Sequence, residues 1–259
     1  MIAVSHMTAK RQVMSSASIA PKTSDPRVAD LVHAGRMRVG LFPPQYVKDA
    51  ANGALKGVWV EIARALASRV GVEIVVLEKP TPSEVVDALN AAVCDVASLG
   101  FDPSRVGRVG GFSPPFMRVD YTFMLPAGSP IRCIADADQP GMRIAAVRDH
   151  ASTLALGRIL QRAEQVSADT ADVAFELLRS GRVDAWASIR PALLDYSSHF
   201  SGARVLEDHY GANLPALVVA KGQDARLAYV SEFIEDAKAS GLVQQAIERA
   251  GQIGYGLAA

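Results

Sequence analysis

Short apolar runs alternate with amphipathic stretches along most of the chain, and the alternation repeats. Met37-Arg38-Val39-Gly40-Leu41-Phe42 reads as a buried strand, and so does Met142-Arg143-Ile144-Ala145-Ala146-Val147. A helical pattern follows each. Over Val58–Val70, the residues Val58, Ile62, Leu66 and Val70 share one face; the second helix is expected over 152–162. Thr81, Val85, Leu89 and Asp95 are spaced by four, four and six residues, and so are Thr170, Ala174, Leu178 and Asp184. Thr81 reads as an N-cap, with Pro82 at the first helical position and Glu84 at the capping-box position. Thr170 caps the matching helix, with Asp172 in its first turn. Each helix then leads into a short apolar strand, over 94–99 and 184–188. Strand, helix and spacing agree, so the chain reads as two copies of one βαβ-type half.

Two such halves predict two α/β lobes with largely parallel sheets. Ligands of these sheets bind beyond the carboxyl ends of the strands, so four loops are expected around one cleft: 42–46, 98–105, 148–153 and 188–191. Extended runs over 117–128 and 213–221 pass between the halves, and two crossings make a hinge. Residues 224–249 are helical by pattern, with Leu227, Val230, Ile234 and Ala237 on one face. The resulting division is a flexible tail over 1–36, one lobe from 37–117 plus 219–259, and a second lobe over 118–218.

Composition narrows the class. At 259 residues, 49% of them apolar, the chain can bury one large core or two smaller ones. Lys plus Arg equals Asp plus Glu at 27 each, which gives no nucleic-acid or polybasic-membrane footprint. Cys94 and Cys133 read as separate free thiols, and no Cys/His cluster has zinc spacing. No apolar run reaches the length of a membrane span. Residues 1–24 carry Lys10, Arg11 and Lys22 among Ser and Thr without an apolar core, the pattern of a tail and not of a secretory signal. The stretch Ala97-Ser98-Leu99-Gly100-Phe101-Asp102-Pro103-Ser104-Arg105 places an arginine among small residues and turn-formers. That setting suits gripping an anion, most simply a carboxylate.

Five motifs in order carry a resemblance. They are Gly57-Val58-Trp59-Val60-Glu61-Ile62-Ala63, the stretch from Ser98 to Arg105, Phe112-Ser113-Pro114-Pro115-Phe116, Gly181-Arg182-Val183-Asp184-Ala185 and Ser240-Gly241-Leu242. Together, from Met37 to Ala250, they resemble the bacterial extracellular solute-binding proteins of family 3, the polar amino-acid-binding type of ABC transporters. The resemblance implies a two-lobed clamp of the type II periplasmic-binding fold that closes on a small solute and hands it to a membrane permease. It implies a monomer in the periplasm, with no cofactor and no chemistry.

The same resemblance assigns site residues. Arg105 would grip the ligand carboxylate, the favoured reading; the other reading of the residues alone is a surface arginine paired with Asp102. Ser98 and Gly100 would present a hydroxyl and backbone groups to the same carboxylate. The family often has a hydroxyl residue where Gly100 stands, and its absence is expected to open space. Phe42, Gln45 and Tyr46 align with an aromatic and polar wall; Trp59 is expected to pack on its helix. In the second half, the helix start after Arg148 and His150 offers free N–H groups and the Ser152 hydroxyl, while Asp149 or Ser152 could simply cap that helix. Ile189 stands where amino-acid-binding members place an aspartate that balances the ligand's ammonium group, and Arg190 beside it adds positive charge. Burying an ammonium without a counter-charge costs several kcal/mol. The expected ligand is therefore a carboxylate without an amine, unless Asp102 or Asp149 reaches the site. Two other classes stay open: an elimination enzyme resembling cyclohexadienyl dehydratases, with Glu61, Asp102, Asp149 or Glu207 as the acid, and a free-standing sensor domain.

Overall fold

The computed structural model describes residues 24–251 and 254–258. The first lobe contains α1 (Ala29–Ala34), β1 (Arg36–Leu41), β2 (Val47–Lys48), β3 (Leu55–Lys56), α2 (Val58–Val70), β4 (Glu73–Glu78), α3 (Pro82–Asn90), β5 (Val96–Gly100) and β6 (Gly111–Phe112). The long strand β7 (Met117–Leu125) crosses to the second lobe. There follow β8 (Arg143–Val147), α4 (Ala151–Ile159), β9 (Glu164–Ala168), α5 (Ala171–Arg179), β10 (Ala185–Ile189), α6 (Arg190–Ser197), β11 (Arg204–Val205) and β12 (Gly211–Asn213). Strand β13 (Pro215–Val219) returns to the first lobe, followed by α7 (Asp224–Ala239), α8 (Leu242–Ala250) and β14 (Tyr255–Leu257).

The two sheets share one topology. In lobe 1 the order is β4-β1-β5-β13-β6, and in lobe 2 it is β9-β8-β10-β7-β11. In each, three parallel strands are closed by an antiparallel crossing strand, β13 in the first and β7 in the second. The repeat read from spacing has a physical basis here. Asp95 accepts from the backbone N–H of Arg38 at 2.8 Å and from its guanidinium at 2.7 Å, and the Asp95 N–H donates to the Arg38 carbonyl at 2.8 Å. Asp184 accepts from the Arg143 N–H at 2.8 Å, and its own N–H returns to the Arg143 carbonyl at 2.8 Å. The aspartate entering the third strand of each half thus locks an arginine near the start of the first strand, Arg38 in β1 and Arg143 in β8. Thr81 accepts from the Glu84 N–H at 3.2 Å and Thr170 from the Val173 N–H at 3.2 Å, so both caps form.

Apolar residues fill both sides of these sheets. Ile62, Leu66, Phe116, Phe233 and Ile234 are wholly buried in lobe 1, and Phe123, Ile144, Leu156 and Trp186 in lobe 2. The expected C-terminal helix is two helices, broken where Gly241 takes a left-handed φ of 74°.

Both chain ends depart from the expected division. Of the tail expected over 1–36, residues 1–23 lie outside the described residues. The remainder is folded: a 3-10 turn (Pro26–Val28) and α1 insert Val28 and Leu31 into the lobe 1 core. Arg27 pairs with Glu232 at 2.8 Å, and Arg226 of α7 pairs with Asp30. Two apolar anchors and these ion pairs attach a segment whose composition reads as polar. At the other end, β14 does not join the lobe 1 sheet. It pairs with the start of β7, Tyr255 opposite Val119 and Leu257 opposite Met117, and so runs along the first crossing.

Candidate functional site

All four expected loops meet at one cavity between the lobes. Phe42, Pro44 and Gln45 follow β1, Gly100 and Arg105 follow β5, His150, Ala151 and Ser152 follow β8, and Ile189 ends β10; each lines it. Trp59, Tyr121 and Asn213 complete the wall. The free volume is about 30 Å³, room for a water or two and not for a solute. The lobes are closed.

Arg105 lies at the end of a short 3-10 turn (Pro103–Arg105), which Asp102 caps by accepting from the Ser104 N–H at 2.9 Å. Its guanidinium is buried. One nitrogen donates to the Gly100 carbonyl at 2.8 Å, and another crosses the cleft to the Asp149 carbonyl at 2.5 Å. Burial lowers its pKa, against the opposing pull of Asp102, Tyr121 and Asp149, and a guanidinium keeps its charge near neutral pH. Asp149 offers that carbonyl from a left-handed backbone with φ of 62°, a conformation uncommon outside glycine but better tolerated by Asp.

Three further contacts hold the lobes together. The Ser83 hydroxyl donates to the Asp149 carboxylate at 3.1 Å, Arg158 of α4 pairs with buried Asp102, and the Phe42 and His150 rings meet edge to face at 5.6 Å. Burial pushes the Asp102 carboxyl up, and hydrogen bonds from Ser104 and Arg158 outweigh that and hold it below the usual range.

The sequence profile of one family matches residues 37–252: the bacterial extracellular solute-binding proteins, family 3. The chain belongs to that family. No curated protein matches it by sequence. Solved structures share its fold at low identity. An ancestral amino-acid-binding protein, a precursor of cyclohexadienyl dehydratase, is 23% identical, with a TM-score of 0.74 over 86% of this chain and 97% of its own. The solute receptor for L-cysteine of Neisseria gonorrhoeae is 23% identical, with a TM-score of 0.75 over 86% and 92%. An amino acid ABC transporter substrate-binding protein from Streptococcus pneumoniae, bound to L-arginine, is 20% identical, with a TM-score of 0.74 over 86% and 97%.

Several residues expected at the site of this solute-binding protein lie elsewhere. Ser98 is buried inside the sheet; its hydroxyl faces the Ala216 carbonyl at 3.4 Å, and its own carbonyl accepts from the Gln45 amide at 2.9 Å. Gln45 reaches the cavity wall but spends its side-chain oxygen on the Phe42 N–H at 3.2 Å. Tyr46 turns away and hydrogen-bonds Glu78. Arg148 is exposed and pairs with Asp169 at 2.6 Å. Arg190 donates to the carbonyls of Leu206 and Glu207 at 2.6 and 2.7 Å. Neither arginine adds charge to the cavity. Asp149 and Ser152 do not cap α4: His150 is its N-cap residue and makes no side-chain cap bond.

Gly100 corrects another expectation. No space opens beside it, because a Cβ there would lie 2.0 Å from Asn213 Oδ1 and 3.0 Å from Ala151 Cβ. The amide of Asn213, from the second crossing, takes the room of a hydroxyl side chain. Among the described residues, Asn213 Oδ1 and the Trp59 indole nitrogen are buried without a hydrogen-bond partner. Both residues belong to the cavity wall, so Trp59, expected to pack on α2, also lines the cavity. Asn213 and Tyr121 sit in the two crossings, where Tyr121 is paired in register with Ile189 and the chain after Asn213 pairs with Gly100.

His150 makes folding stability sensitive to acid. Burial, with the nearby charge of Arg105, pushes its pKa down to about 4 from the ordinary 6.5. The closed protein then binds fewer protons than the unfolded chain across that window, so stability is full above pH 6.5 and falls as pH drops towards 4. Going from pH 7 to pH 5 is expected to cost up to about 2 kcal/mol. Melting curves at both values should show the loss, and His150→Gln should shrink it; an unchanged pH dependence in the variant would refute the assignment.

Proposed function

We propose that this protein captures a small carboxylate lacking an α-ammonium group and delivers it to the permease of an ABC transporter. One observation carries the ligand class. The cavity holds a buried guanidinium, and none of the described residues that line it is Asp or Glu. Asp149 directs its carboxylate to Ser83, and Asp102 directs its own to Ser104 and Arg158. Ile189 lines the wall as a hydrocarbon. A carboxylate fits the Arg105 fork and the nearby start of α4, whereas an ammonium group finds no counter-charge. The same lining provides no carboxylic acid for an elimination reaction.

Family membership supports the transport role and an extracytoplasmic location, and so do the names of the similar transporter components. Among the described residues no helix is long and apolar enough to cross a membrane.

Matched pairs test the ligand class by calorimetry: 3-phenylpropionate against L-phenylalanine, and glutarate against L-glutamate. The amine-free member should bind at least roughly a hundredfold more tightly, as a penalty of about 3 kcal/mol requires. Tighter binding of the amino acid in both pairs would overturn the reading.

A further inference from the structure

A second chamber lies on the seam between the lobes. Its volume is about 250 Å³, against about 30 Å³ beside Arg105. Pro44, His150 and Ile189 line both spaces, so one layer of side chains divides them. The chamber wall is largely hydrocarbon, including Pro43, Val147, Ala171, Pro191 and Ala192. Three tyrosine rings add aromatic surface. The hydroxyl of Tyr46 is committed to Glu78 and that of Tyr196 to Asp172, which leaves their rings to the chamber. Tyr255 also packs edge to face on Trp59 of the first cavity at 5.7 Å.

We propose that the second chamber receives the aromatic body of the ligand whose carboxylate Arg105 holds, so that the solute is an arylalkyl monocarboxylate spanning the partition. This rests on the carboxylate reading above and deepens it. Size agrees: an apolar cavity of roughly 150 Å³ admits benzene. Charge agrees as well. No Lys or Arg is among the described residues that line the chamber; of its two carboxylates, both exposed, Asp169 is already paired with Arg148. A second carboxylate on the ligand would find no cationic lining residue there. A solute spanning both spaces requires the partition formed by Pro44, His150 and Ile189 to yield. His150 is held by an aromatic edge contact with Phe42 and by a loop already in an unusual backbone conformation. Its ring is the part of the partition on the loop between β8 and α4.

Calorimetry with propionate, succinate and 3-phenylpropionate tests the proposal on the full chain and on Ala192→Trp. Ala192, on α6, faces the chamber and is not part of the Arg105 cavity. Wild type is expected to bind 3-phenylpropionate roughly tenfold to a hundredfold more tightly than propionate, as burial of a phenyl group implies. Ala192→Trp should erase that margin and leave propionate within about twofold of wild type. Retained propionate binding certifies the variant's fold, and Ala171→Phe on the α5 side is the second variant. If wild type binds all three acids equally, if it prefers succinate, or if both variants keep the aryl preference, the proposal fails while the carboxylate reading stands. Loss of propionate binding in both variants would overturn the separation of the chambers. If no acid binds, the carboxylate reading itself fails, and this proposal with it.

Discussion

Replacing Arg105 by glutamine is expected to abolish carboxylate binding. Among the described residues Arg105 supplies the only cationic side chain on the cavity wall, and it is buried, where a charge-assisted hydrogen bond is strongest. Removing one member of a buried, hydrogen-bonded ion pair costs about 2–5 kcal/mol, or roughly thirtyfold to several-thousandfold in affinity. The same change removes the bond to the Asp149 carbonyl across the cleft, so closure weakens along with binding. Arg105→Lys keeps the charge and loses the planar fork, and an intermediate loss is expected. Arg158→Gln is the control. It breaks the pairing with Asp102 at the closed rim and leaves the carboxylate grip intact. Calorimetry with 3-phenylpropionate separates these outcomes; Arg105→Gln within threefold of wild type would remove Arg105 from the site.

Ile189→Asp is expected to reverse the preference between 3-phenylpropionate and L-phenylalanine. The substitution places a carboxylate on the cavity wall and supplies the counter-charge that an ammonium group lacks there. The backbone accepts it readily, because Ile189 is the N-cap residue of α6 and makes no cap bond with its own side chain; Asp is among the best residues for that position. L-phenylalanine should gain roughly a hundredfold, while 3-phenylpropionate loses about tenfold to repulsion. A variant that binds L-phenylalanine no better than wild type would show that Ile189 does not set the discrimination.

The four loops were legible because strand polarity dictates where they gather, whatever their residues. Duplication was legible for a related reason: the aspartates at 95 and 184 perform one backbone-locking task in each half. Side-chain direction was not. Arg148 and Arg190 follow cleft-facing strands, yet charge says nothing about aim, and each finds a partner away from the cavity. Asn213 and Tyr121 reach the wall from the crossings, through long-range strand pairing that no local pattern encodes. The folded segment from residue 24 was hidden because most of its anchorage is to α7, some 200 residues later in the chain.

The chain has two tryptophans. Trp59 stands on the cavity wall with its indole N–H unpartnered among the described residues, and Trp186 is wholly buried in the lobe 2 core. Solute entry therefore changes the surroundings of Trp59 directly, whereas Trp186 meets the second chamber through Tyr196, whose ring packs edge to face on it at 4.9 Å. The protein carries its own optical gauge of occupancy. In a Trp186→Phe background, the emission of Trp59 alone follows filling of the cleft in real time.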